Sequence, residues 1–182
     1  MENVKSFEHK GLNINIWLDT DPMNPREWDN IGTMVCFHGR YDLGDKHTFR
    51  DPEEFEEFLI EEKDNIFYLP LYMYDHGGIT IKTSPYGCEW DSGQVGYIYI
   101  TKKRAEEEGL RDPFHNLECE VKEYDHYLVG NCYGYTIEDN EGEMLDSVGG
   151  YIGYEEVAIK EAKINADYWE RTLPKQYPLA LA

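Results

Sequence analysis

The sequence predicts an α+β fold: a single acidic domain over residues 1–182, with a mainly antiparallel or mixed sheet of six or more strands and about three helices. Three observations carry this expectation. Short segments in which apolar and polar residues alternate recur along the chain, the pattern of strands with one buried face. Between them lie stretches with apolar residues at helical spacing, two of which open on Asp-Pro, a cap followed by the residue best suited to the first helical position. No internal repeat, low-complexity linker or composition break divides the chain, and 182 residues suit one substantial core.

The first predicted strand is Leu12 to Leu18, which alternates up to Trp17 and is ended by Asp19-Thr20-Asp21-Pro22. After a loop holding Pro22 and Pro25, Thr33 to His38 is more continuously apolar, as in a strand central to a sheet. Gly39 and Gly44 mark the next turn region. Asp51-Pro52-Glu53-Glu54 is the clearest local signal, because Asp51 caps, Pro52 starts the helix and Glu54 completes a capping box. Phe55, Phe58 and Leu59 make the apolar stripe of that helix, leaving Glu53, Glu54, Glu56, Glu57, Glu61 and Glu62 mostly to solvent, and Asn65 falls beyond its end.

Ile66 to Tyr74 is aromatic and aliphatic enough for a strand that Pro70 should place at an edge or break in two. His76-Gly77-Gly78 turns, Ile79 to Lys82 returns, and Gln94 to Thr101 is a further strand after an irregular, aromatic loop from Thr83 to Gly93. Lys102 to Glu108 predicts a short helix stopped by Gly109. Asp112-Pro113 opens another, with Phe114, Leu117, Val121, Tyr124 and Leu128 as its buried stripe and Gly130 as its end. Cys132 to Glu138 and Glu143 to Val148 flank the turn cluster Asp139-Asn140-Glu141-Gly142 and predict a hairpin. A last helix runs from Glu155 to Trp169, with Ala158, Ala162 and Ala166 every four residues beside Val157, Ile164 and Tyr168, so two of its faces can pack.

Charge is the dominant compositional signal: 37 Asp and Glu against 17 Lys and Arg give a formal −20. A molecule of this charge repels nucleic acid and anionic membrane at long range and attracts basic protein surfaces; solubility alone is the plain alternative. With 41% hydrophobic and 14% aromatic residues the chain has the material to fold. No apolar run is long enough to span a membrane, and Met1 to Lys5 lacks the charge and hydrophobicity of a signal peptide, so a cytoplasmic location is expected. Cys36, Cys88, Cys119 and Cys132 are widely spaced with no Cys-x-x-Cys pair, the usage of reduced thiols.

Catalytic signals are weak. Asp19-x-Asp21 and Glu27-x-Asp29 could hold a divalent metal, but in a chain with 37 acids such pairs arise by chance and these also fit turn chemistry. His115, Cys119, Lys122 and His126 share a helical stripe away from the apolar one, and the lysine in its middle argues against a metal. His38, Asp75 and His76 stand at strand ends as a candidate acid/base group. Ser92 lacks a nucleophile elbow, because Trp90 stands where the first glycine belongs, and is expected in a turn. Gly93-x-x-Gly96 is too short to imply phosphate binding. The basic islands, Lys102-Lys103-Arg104 and then Lys160, Lys163, Arg171 and Lys175, are small against the overall charge, which disfavours direct nucleic-acid binding. No catalytic, cofactor or metal residues are assigned.

The acidic helix compares with a nucleic-acid duplex. Eleven residues at about 1.5 Å rise span about 16 Å with six glutamates, where B-DNA carries about ten charges. Partial mimicry of a phosphate backbone is therefore physically reasonable, and the segment with Glu118, Glu120, Glu123 and Asp125 could extend it; a merely solvated helix face is the alternative. Partner contact is assigned on this basis to Glu53, Glu54, Glu56, Glu57, Glu61, Glu118 and Glu123.

Three stretches carry a resemblance: Trp17 to His38 (WLDTDPMNPREWDNIGTMVCFH), Leu69 to Ile79 (LPLYMYDHGGI) with Trp90 to Tyr99 (WDSGQVGYIY), and Glu123 to Gly130 (EYDHYLVG). They resemble a widespread family of small proteins carried by phages and mobile elements, a gut-bacterial branch of which is similar to a type II-A anti-CRISPR protein. The resemblance implies a non-enzymatic inhibitor, needing no cofactor, of a type II CRISPR RNA-guided nuclease, bound with or without its guide RNA in the bacterial cytoplasm. Such nucleases hold nucleic acid in positively charged channels. Other expectations are a general DNA mimic acting on restriction or host DNA-binding proteins and a metal-dependent hydrolase using Asp19, Asp21, His38 or His76.

Overall fold

The computed structural model describes residues 2–173 and has the α+β class that the sequence predicts. The described residues form two compact units, one from those up to Pro22 together with those from Asn131 onward, the other from Met23 to Gly130. Among the described residues eight strands fall into two antiparallel sheets of four, where the sequence suggested a single larger sheet. Lys175 lies outside the described residues.

The discontinuous unit holds β1 (Glu2–His9), β2 (Leu12–Leu18), β7 (Cys132–Glu138), β8 (Met144–Ile152) and α4 (Glu155–Thr172), with sheet order β1-β2-β7-β8. Leu12, Ile14 and Ile16 alternate into a core closed by Tyr135, Ile137 and the alanine face of α4, Ala158, Ala162 and Ala166. The other α4 face, with Val157, Ile164 and Tyr168, stays exposed, so one of the two apolar faces packs. β1 escaped the sequence pattern because it is an edge strand that contributes only Phe7 to the core. Trp17, on the outer face of β2, stands opposite Gly134.

The continuous unit holds β3 (Thr33–Cys36), α1 (Pro52–Glu62), β4 (Ile66–Asp75), β5 (Ile79–Lys82), β6 (Ser92–Thr101), α2 (Lys102–Glu107) and α3 (Pro113–Leu128), with sheet order β3-β6-β4-β5. β3 ends the sheet instead of lying at its centre. Its apolar run is explained by what covers its free edge: Val35 bridges Gly44, and Asp45 takes a hydrogen bond from Met34 N while its own N–H donates to Met34 O. Gly44 is required there, since its φ is +72° and a Cβ would lie 2.6 Å from Met34 O. β4 is internal and unbroken, yet Pro70 fits because β5 pairs only with Tyr72 to Asp75, leaving β4 a single neighbour at the proline.

Alternation along β6 divides the unit into two cores. Ile98 and Ile100 face Leu117, Val121 and Tyr124 of α3. Tyr97 and Tyr99 face Phe55, Leu59 and Phe58 of α1. α1 and α3 therefore cover opposite faces of one sheet. Phe114, expected on the buried stripe of α3, lies in its first turn and is 45% exposed, meeting Phe67 edge to face with ring centroids 5.4 Å apart.

Candidate functional site

The acidic face belongs to α1. Asp51 Oδ1 accepts from Glu54 N at 2.9 Å, and Arg50 and this cap hold the Asp51 carboxyl below its usual range. Glu54 Oε2 accepts from Arg50 N at 2.6 Å, one residue before the N–H of a standard capping box. Inside, Phe55 packs on Phe49, Tyr97 and Tyr99 at centroid distances of 4.6, 5.8 and 5.8 Å, while Phe58 meets Tyr99 at 5.5 Å. Those rings orient the helix. With 100° per residue, Glu53, Glu56, Glu57, Ile60 and Glu61 then turn outward, and all five are exposed.

Glu53, Glu56, Glu57 and Glu61 form no ion pair among the described residues; Glu56 accepts from Tyr97 Oη at 3.2 Å. Arg50, at the foot of the helix, pairs with Asp51 at 2.7 Å, and its charge also acts on Glu54 and Glu57. The face has an apolar centre that the sequence reading missed: Ile60 is 69% exposed among these glutamates. Its signal was positional, since Ile60 falls 100° beyond Leu59 and so off the Phe55-Leu59 stripe.

The acids of α3 do not extend this surface. The two helices lie on opposite sheet faces, and two of the four carboxylates are consumed internally. Glu120 pairs with Arg26 at 3.0 Å and accepts from Ile31 N at 2.7 Å and Gly32 N at 3.1 Å. Asp125 Oδ1 accepts from Thr80 Oγ1 at 2.6 Å and Ile81 N at 2.8 Å. Glu118 is exposed, whereas Glu123 is half-buried, and burial together with the nearby Glu120 charge raises its pKa. A continuous phosphate-like stripe across the two helices is thus ruled out, while α1 keeps its own.

The candidate catalytic residues are engaged in turns and in contacts between segments. Asp19 Oδ1 accepts from Asp21 N at 3.2 Å, which is turn chemistry, and its Oδ2 accepts from Gly150 N of β8 at 3.1 Å. His38 Nδ1 accepts from the N–H groups of Arg40 and Tyr41 at 3.3 and 3.1 Å. Asp75 binds Arg40 and Tyr41, and His76 Nδ1 lies 3.4 Å from Asp91. Ser92, expected in a turn, is instead the first residue of β6, opposite Tyr74, and its Oγ donates back to Cys88 O of the preceding turn. His115 Nε2 and Cys119 Sγ stand 3.6 Å apart on the exposed side of α3. Among the described residues no group of three or more His, Cys, Asp or Glu is placed to hold a metal ion.

The first basic island is internally occupied. Lys102 Nζ donates to Asp64 O at 2.6 Å, Lys103 pairs with Glu107 at 3.8 Å, and Arg104 reaches Asn30 O at 2.9 Å, Asp29 at 3.5 Å and Glu108 at 3.9 Å. No helix among the described residues is long and apolar enough to cross a membrane. Comparison with protein-family models, with curated proteins and with solved structures gives no match to this chain.

Proposed function

We propose that this chain is a non-enzymatic inhibitor of a type II CRISPR RNA-guided DNA nuclease and acts by binding the protein through the acidic face of α1. The observation that carries the reading is that face itself, four glutamates outside any ion pair among the described residues, set around an exposed isoleucine on a helix fixed by an aromatic base. Carboxylates at this density suit channels that hold nucleic acid, and the resemblance of Trp17–His38, Leu69–Ile79, Trp90–Tyr99 and Glu123–Gly130 supplies the partner class. Ile60 favours a protein-specific contact over pure phosphate mimicry, because a phosphate backbone offers no apolar group at its centre.

The test is guided cleavage of a DNA target by a purified nuclease and guide RNA. Cleavage falls as the inhibitor approaches molar equivalence, and undiminished cleavage at clear excess overturns the reading. Reversing Glu53, Glu56, Glu57 and Glu61 to lysine weakens inhibition by about tenfold or more, on the usual worth of a few exposed charge contacts. Glu54 is left intact, because it bonds the backbone ahead of the helix. Equal protection of DNA against unrelated restriction enzymes would instead identify a general DNA mimic.

A further inference from the structure

The face of the β3-β6-β4-β5 sheet that carries α1 is only partly covered. Leu69, Leu71 and Met73 of β4 belong to the core shared with α3, so Tyr68, Pro70, Tyr72 and Tyr74 stand on the opposite face. The α1-side core takes Val35, Ile66, Tyr97 and Tyr99, and reaches no further along β4 than Ile66. Tyr68 is 39% exposed and Pro70, Tyr72 and Tyr74 are half-buried, making a strip about 20 Å long at roughly 3.3 Å per residue. Tyr68 meets Tyr97 edge-on at 6.0 Å, and Tyr74 stacks on Tyr86 at 5.6 Å.

At the Tyr74 end the chain presents Trp90, 95% exposed, from a turn that is fastened at its base. Asp75 N donates to Asp91 O at 2.8 Å, Ser92 Oγ closes onto Cys88 O, and His76 faces Asp91. The fastened turn fixes the backbone beneath the ring, so binding has only the Trp90 side chain to order, and tryptophan is among the residues enriched at interface anchors.

The chemistry of the strip selects its ligand. Aromatic faces attract cations, and the molecule already uses its own this way: Lys82 Nζ lies 4.0 Å from the centre of Tyr86, and Arg40 lies 4.7 Å from that of Tyr41. Glu89 and Asp91 flank Trp90, and Glu56 sits at the Tyr97 hydroxyl. These carboxylates and the net charge of −20 repel an anionic ligand. We infer that the Tyr68-Tyr72-Tyr74 strip and Trp90 form a second docking surface, for an extended arginine-bearing segment of a basic protein. Guanidinium planes stack on the rings while Glu89, exposed beside Trp90, takes up the charge. The inference rests on the reading above only in that the partner is a basic protein.

Titration calorimetry with two short peptides of equal charge, alternating Arg-Gly and alternating Lys-Gly, tests it near physiological salt. The arginine peptide binds several-fold more tightly, because only arginine offers a stacking plane. Trp90→Leu, and Tyr68→Leu with Tyr72→Leu, each weaken it by about tenfold, whereas Tyr68→Phe with Tyr72→Phe retains it because the rings remain. Trp90→Leu alters only an exposed side chain, so its result does not depend on refolding, and thermal melting checks the double variant. Equal affinity for both peptides, or leucine variants that bind as wild type does, overturns the proposal. So does single-stranded DNA bound through the same rings, or self-association that Trp90→Leu abolishes. Arginine preference alongside undiminished guided cleavage leaves the surface standing and removes the nuclease as its partner; inhibition without arginine preference does the reverse.

Discussion

Arg26 has a side chain only 2% exposed, and each nitrogen of its guanidinium is bonded. Nε and Nη2 grip Asp45 at 2.8 and 2.7 Å, Nη1 meets Glu120 at 3.0 Å, and Nη2 donates to Gly32 O at 2.8 Å. Burial alone would lower its pKa, but hydrogen bonds and charge from Asp45 and Glu120 win and raise it. The same two carboxylates hold the N–H groups of Ile31, Gly32 and Met34, so one cation ties the loop after Pro25 to β3 and α3. Arg26→Met leaves both carboxylates without their cation and is expected to cost about 3–5 kcal/mol in urea unfolding. Arg26→Lys, which keeps the charge and loses the fork, falls between the two. A methionine variant within about 1 kcal/mol of wild type would show that the carboxylates are sufficiently solvated without the arginine. Nothing local in the sequence announced this cluster, because its members stand 19 and 94 positions from Arg26. Sequence periodicity reports which face of an element is apolar, and an ion cluster assembled from three separate segments has no period.

At the scale of elements, what was legible was what is decided locally. Asp51-Pro52 and Asp112-Pro113 start α1 and α3 where the cap chemistry says, and Gly109 and Gly130, at φ +65° and +78°, follow the ends of α2 and α3. What was not legible was decided by pairing: the division of eight strands into two sheets, the edge strand β1, and the placement of α1 and α3 on opposite faces of one sheet. For that reason the charges of α1 could be read as a solvent face, while those of α3 could not be distinguished from internal acceptors. Glycines show the same limit. In the β2–β7 pair the Trp17 ring lies over Gly134, where a Cβ would come within 2.2 Å of it, and at Gly149 a Cβ would come within 2.8 Å. Gly134→Ala therefore overpacks this contact and is expected to lower stability by about 1–3 kcal/mol, read by thermal or denaturant unfolding. Pairing it with Trp17→Phe, which shortens the ring system, should recover part of the loss; absence of recovery would place the cost in the backbone instead.

For the molecule as a whole, a formal charge of −20 means that folding gathers like charges, so the compact state works against its own repulsion. Raising salt from about 10 to about 100 mM shortens the screening length from ~30 to ~10 Å, which removes long-range repulsion first and close ion pairs last. The melting temperature is therefore expected to rise with salt over this range, and a fall would mean that local pairs such as Arg26 with Asp45 outweigh the net charge. The same physics separates folding from binding at α1. Reversing Glu53, Glu56, Glu57 and Glu61 to lysine brings the formal charge from −20 to −12, two units per substitution. Glu53 in the first turn complements the helix dipole and Glu61 in the last opposes it, so their local effects offset each other. What is left is reduced self-repulsion, and the variant should melt higher than wild type at low salt, with a smaller gain on adding salt. A protein that is more stable and yet a weaker inhibitor has lost a contact, because misfolding would move both measurements in the same direction.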